Sequence, residues 1–114
     1  MEKSQRKELI SEYKARKIIG AVYSIKNTIN GKELILYTVN LEGSKNRFAF
    51  SQKTGGCENL KLREDWKKFG TNAFIFQVLE ELEMGEGQTQ KEFLDDLKTL
   101  HTLWIEKTEP AILY

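Results

Sequence analysis

The chemistry open to this 114-residue chain rests on a small set of side chains: Tyr23, the lone histidine His101, Arg47, and basic residues at Lys45, Lys61, Arg63, Lys67 and Lys68. A tyrosine hydroxyl can assist a nucleophile, and a histidine can move a proton near neutral pH. A guanidinium can clamp a phosphate through two parallel hydrogen bonds. Together these types suit phosphate chemistry or phosphate binding. Each also has a plainer reading. Tyr23 lies in an apolar run and reads as a half-buried core aromatic. His101 borders an apolar helical stripe and reads as a core-edge residue. The basic residues read as a solvated face as readily as a phosphate track. Trp66 and Trp104 read as core.

The remaining reactive types are sparse. Cys57 is the single cysteine and follows Gly55-Gly56, so no intramolecular disulfide can form and the thiol reads as idle. One cysteine and one histidine cannot supply a four-ligand zinc site, so no resident metal is expected. A carboxylate-held magnesium stays open only if the chain is an active enzyme. Glu80, Glu81 and Glu83 gather carboxylates after an apolar run, where a solvated loop is the expected setting.

Composition narrows the class. Charged residues make up 31% and the net charge is +1, with the two signs interspersed. A dedicated backbone binder of nucleic acid is usually more basic. No apolar run approaches the roughly 18 residues of a membrane helix, and the charged start Met-Glu-Lys-Ser-Gln-Arg-Lys-Glu has no apolar signal core. A cytoplasmic protein with no membrane partner is the expectation. The length suits one domain over 1–114, divided into an N-terminal helical extension (1–17), a core (18–107) and a C-terminal tail (108–114).

The elements that must position these side chains follow from periodicity. Residues 4–16 read as a helix with Leu9, Ile10 and Tyr13 on one face. Residues 18–26 and 33–39 read as β-branched and aromatic strands. Asn30-Gly31 between them predicts a tight hairpin, because both residues tolerate positive φ. Residues 40–50 fit a short helix weakened by Gly43. A helix is predicted over 59–69, capped by Asn59, with Leu62, Trp66 and Phe69 inward and Gly70 stopping it. Residues 73–79 are apolar on both faces and predict the best-buried strand. An acidic loop over 80–87 leads to the longest helix, 88–107, with Phe93, Leu97, Leu100 and Trp104 as its stripe. Pro110 ends it, and the apolar residues 111–114 are expected to dock. The fold class is α+β, a small three-stranded antiparallel sheet flanked by helices.

That order, with these residues, resembles the GIY-YIG nuclease family over about residues 20–106. The run Ala21 to Lys32 is similar to the family's first strand and its Asn-Gly turn. Leu34-Ile35-Leu36 stands at the family's Tyr-Ile-Gly position. The run Leu62 to Gly70, followed by Phe74-Ile75-Phe76-Gln77-Val78-Leu79-Glu80, is the most specific likeness. Leu100 to Glu106 matches the last helix.

The resemblance implies a tyrosine on each of the first two strands, an arginine on the following helix and a metal-holding glutamate on the last. Tyr23 keeps the first tyrosine. Leu34 replaces the second, Leu36 replaces the motif glycine, Ser44 falls on the arginine position and His101 on the glutamate. Tyr37 faces the opposite side of its strand from Leu34 and is not a substitute. Arg47 can take the arginine's part only from almost one turn further along. The resulting expectation is a GIY-YIG-like domain that is catalytically inactive and acts as a binding or regulatory module. Nucleic acid is its candidate partner, through Lys45, Arg47, Lys61, Arg63, Lys67 and Lys68, and no cofactor is expected. Two alternatives stand beside it. One is a metal-dependent endonuclease with a rearranged site of Tyr23, His101 and Arg47. The other is an interaction domain that forms a homodimer through the N-terminal helix.

Overall fold

A computed structural model of the protein describes residues 18–57 and 59–114. The helix expected over 4–16, and the dimer surface expected on it, lie outside the described residues.

Three strands, β1 (Ile19–Asn27), β2 (Glu33–Thr38) and β3 (Phe74–Glu83), form one antiparallel sheet in the order β2-β1-β3. β1 is paired on both sides, which is why Ala21, Val22, Ser24 and Asn27 on it are buried. Tyr23 stands opposite Leu36, and Ile25 opposite Leu34. The alternation of side chains places all four on one face. With Phe74 they meet two helices, α1 (Leu41–Thr54) and α2 (Arg63–Phe69), around a core of Leu34, Leu62, Trp66, Ala73 and Phe74. The third helix, α3 (Gln90–Lys107), packs on β1 and β2. The three-stranded antiparallel α+β architecture is as predicted.

Several local expectations are corrected. β3 runs four residues beyond the apolar run that ends at residue 79, so Glu80, Glu81 and Glu83 are strand residues and not a loop. It is an edge strand with exposed Ile75 and Val78, and β1, not β3, is the best-buried strand. Pairing, which the apolar pattern could not report, decides this. The hairpin is wider than two residues. Gly31 alone has positive φ, at 78°, and its N–H donates to Asn27 O at 2.9 Å. Asn27, buried at the end of β1, holds the loop through its side chain: Oδ1 accepts from Ile29 N at 2.9 Å.

The helices shift as well. α1 spans 14 residues. Asn40 caps it by accepting from Gly43 N at 3.0 Å. Gly43 falls in the first turn, where helix N–H groups lack intrahelical partners anyway, so it weakens the helix little. α2 starts at Arg63, later than expected. Asn59 instead makes a turn, its side chain accepting from Lys61 N at 2.9 Å. Gly70 closes α2 at φ 87°, ψ 159°, a region open essentially to glycine alone. α3 begins at a reciprocal capping box between Thr89 and Glu92. Phe93 and Leu97 are buried as expected, but Trp104 is only half-buried, with Nε1 donating to Glu80 Oε1 at 2.9 Å. Close packing of α3 on the sheet depends on Gly20, where a Cβ would lie 2.5 Å from Thr38 O and 2.9 Å from Leu97 Cδ1.

The tail docks as predicted. Leu113 bridges Glu33 in parallel, and Tyr114 N donates to Glu33 O at 3.0 Å. The Tyr114 hydroxyl donates to Asp65 Oδ2 at 2.7 Å and accepts from Asn27 Nδ2 at 3.1 Å. One ring thus ties the outer edge of β2, the hairpin loop and α2 together.

Candidate nucleic-acid interface

On the α1–α2 face of the sheet, the side chains of β1 and β2 border an open pocket of about 260 Å³. Tyr23 and Leu36 come from paired strand positions, Phe76 from β3, Ser44, Arg47 and Phe48 from α1, Trp66 from α2, and Cys57 and Asn59 from the connection between the helices. Tyr23 stacks on Phe76 with centroids 4.5 Å apart. Phe48 lies 5.7 Å from Phe76 and 6.1 Å from Trp66. Strand alternation aims Tyr23 here, and helical spacing brings Ser44, Arg47 and Phe48 to the same side of α1.

Arg47 and Ser44 act as a pair. Arg47 Nη2 donates to Ser44 Oγ at 3.1 Å, and Ser44 Oγ donates to Thr38 Oγ1 at 2.8 Å. Ser44 is buried, whereas Arg47 is exposed. The exposed guanidinium therefore reaches back one turn to the position where the family resemblance expects an arginine, and it is held there by a buried hydroxyl. A guanidinium has five N–H donors, so this bond leaves others for a ligand. Leu34 and Leu36 present no hydroxyl. Leu34 is buried in the core.

His101 is not in this pocket. It lines a neighbouring depression of about 310 Å³ at the outer edge of β2, together with Tyr37, Lys61, Leu113 and Tyr114. Its Nε2 bonds Ile35 O at 2.8 Å, and a carbonyl only accepts, so that nitrogen carries the proton. Its ring meets Tyr37 edge-on at 5.1 Å. Tyr23 and Arg47 are therefore brought together, and His101 is turned to the strand edge. A third depression, of about 320 Å³, holds Arg63 and Lys67 beside Gly55, Gly56 and Cys57. It meets the central pocket at Cys57 and Trp66, and the His101 depression meets it at Leu36 and Asn59. Lys45 and Lys68 line none of the three, and Lys68 Nζ lies 5.3 Å over the Phe69 ring.

The three joined depressions carry Arg47, Lys61, Arg63 and Lys67, and among the described residues no carboxylate lines them. Magnesium is commonly held by one or two carboxylates with waters. The described lining residues do not fit that ion. Cys57 donates its thiol to Asn59 O at 3.3 Å, which makes it a wall of the pocket. Sequence reasoning missed the Ser44–Arg47 bond and the part played by Phe48 and Phe76. The i, i+3 spacing of Ser44 and Arg47 was the available signal.

No family model matches the chain, and no curated protein does. Solved structures do. The catalytic domain of the homing endonuclease I-TevI superposes with a TM-score of 0.57 at 26% identity, covering 77% of this chain and 86% of that one. A glutamate-to-alanine mutant of that intron endonuclease's catalytic domain gives a TM-score of 0.57 and 26% identity over 79% of this chain and 84% of that one. The chain has a GIY-YIG-like fold and is related to the catalytic domain of a homing endonuclease.

Proposed function

We propose that the chain is a nucleic-acid-binding module built on a nuclease scaffold whose cutting site has been converted to a phosphate-binding one. The observation that carries this reading is the Arg47 guanidinium, tied by Ser44 at the mouth of the Tyr23 pocket and flanked by depressions bearing Lys61 on one side and Arg63 and Lys67 on the other. Phosphate contacts from Lys and Arg supply most sequence-independent affinity, and they act locally, so a net charge of +1 does not oppose them. The likeness to a homing-endonuclease catalytic domain is consistent with this partner class.

The case against cutting rests on chemistry. Strand β2 offers Leu34 and Leu36 where an attacking or positioning group is needed, and His101 spends its proton on Ile35 O. Leucine can neither transfer a proton nor stabilise charge. Fluorescence anisotropy with labelled DNA and RNA at low salt tests the binding. The expected result is micromolar or tighter association that weakens steeply with salt; no association at low salt overturns it. The endonuclease alternative is favoured by one observation, the shared pocket of Tyr23 and Arg47. A plasmid-nicking assay with magnesium or manganese decides it. Nicking that disappears in Tyr23→Phe establishes an enzyme, and intact plasmid supports the binding module.

A further inference from the structure

We propose that the pocket beside Tyr23 takes one unpaired nucleobase, so that the domain prefers single-stranded nucleic acid to duplex; this deepens, and rests on, the binding reading above. Its walls carry the inference. Tyr23, Phe48 and Phe76 are each only partly buried, and with Trp66 they surround open volume. Tyr23 stacks on Phe76 and Phe48 packs against Phe76 and Trp66, yet the four rings still border a cavity of about 260 Å³. Small-molecule sites run from roughly 300 Å³ upward, so this volume suits a single planar ring system. Every base has a π-face, and stacking on aromatic side chains tolerates any sequence.

The polar groups complete the fit. Ser51 and Asn59 on the lining can meet the donors and acceptors of a base edge. Arg47 stands at the same pocket, where the phosphate attached to that nucleotide would lie. The strand would continue on either side, over Lys61 one way and over Arg63 and Lys67 the other, because those depressions join the pocket at Asn59 and at Cys57. A duplex keeps its bases stacked inside. It could fill this pocket only by extruding one, at the cost of breaking pairing and stacking. A single strand has no such penalty. DNA and RNA strands share this chemistry.

The test measures anisotropy of labelled oligomers of about 12 nucleotides, within the roughly 4–16 that a strand-binding site spans. Oligo-dT, oligo-U, a duplex of equal length and a strand of abasic sites are compared at low salt. The abasic strand keeps every phosphate and removes every base. Expected is at least a tenfold weaker association for both the duplex and the abasic strand than for oligo-dT or oligo-U, which is the size of one base–aromatic stack. Phe76→Leu is expected to bring the base-bearing strand down to the abasic level while the salt slope stays the same. Equal affinity for abasic, duplex and base-bearing strands overturns the base pocket and leaves phosphate binding standing. No association with any of them overturns both. The abasic comparison needs no variant, so a Phe76→Leu chain that fails to fold does not weaken the test. Any difference between oligo-dT and oligo-U identifies which strand the site takes.

Discussion

At the scale of the residue, Arg47 and Tyr114 each depend on a specific partner. Arg47 is exposed but not free, because Ser44 fixes one arm of its guanidinium. Arg47→Ala is expected to weaken strand binding about tenfold and to lower the salt dependence by about 0.7 in log–log slope, the value of one phosphate contact on a single strand. Lys45→Ala, outside the depressions, is expected to change neither, and anisotropy across a salt series separates the two. Burial pushes the Tyr114 hydroxyl above the ordinary tyrosine value of 10.0, and its bond to Asp65 pushes the same way. A raised value means that the folded chain favours the neutral phenol. Its stabilising contribution is complete below the ordinary value and is lost as pH climbs through the raised one. Thermal melts between pH 9 and pH 11 are therefore expected to show a steeper fall in Tm for the wild type than for Tyr114→Phe (a range of about one unit either side of the ordinary value). Equal slopes would remove the phenol from this account.

Among the elements, the caps and close approaches decide where helices start and how near they sit. Thr89 accepts from Glu92 N at 3.1 Å at the start of α3. Thr89→Ala is expected to cost about 1 kcal/mol, read from urea unfolding, because an N-cap acceptor is lost. Gly20 is the tighter constraint. A methyl group there meets backbone oxygen at 2.5 Å, which no side-chain rotation relieves. Gly20→Ala is expected to destabilise the fold by about 1–3 kcal/mol, the usual range for overpacking, as α3 is pushed off β1. Both losses belong to the α3 side of the sheet, so binding on the opposite face is expected to survive wherever the chain remains folded. Measuring affinity and stability on the same variants checks that separation.

For the whole molecule, the C-terminal tail closes a sheet edge. β2 is an edge strand, and an open edge is a template for pairing with another chain. Tyr114 N covers Glu33 O, and His101 Nε2 covers Ile35 O. The double variant Leu113→Ser, Tyr114→Ala is expected to release the tail, lower Tm and produce concentration-dependent association in light scattering. A variant that stays in the wild-type oligomeric state with an unchanged melt would show that the edge is protected by other means.

The sequence by itself determined the α+β class, the presence of a hairpin, the inward residues Leu62, Trp66, Phe93 and Leu97, and the docking of the apolar tail. These follow from period, propensity and burial, which are local properties that residues carry with them. It also reported that leucines stand at 34 and 36, and no fold can give them a hydroxyl. Tertiary structure alone decided the rest. Whether β1 or β3 is buried depends on which strand is paired on both sides, and apolar composition favoured the wrong one. Whether Glu80 is loop or strand depends on its pairing with Val22. The site was split in the same way. Tyr23 and Arg47 share a pocket because strand alternation and a one-turn reach converge on one face. His101 leaves it because the edge carbonyl of Ile35 is an unfilled acceptor within its reach. Such convergence depends on distances between residues far apart in the chain, and spacing along a sequence does not encode them.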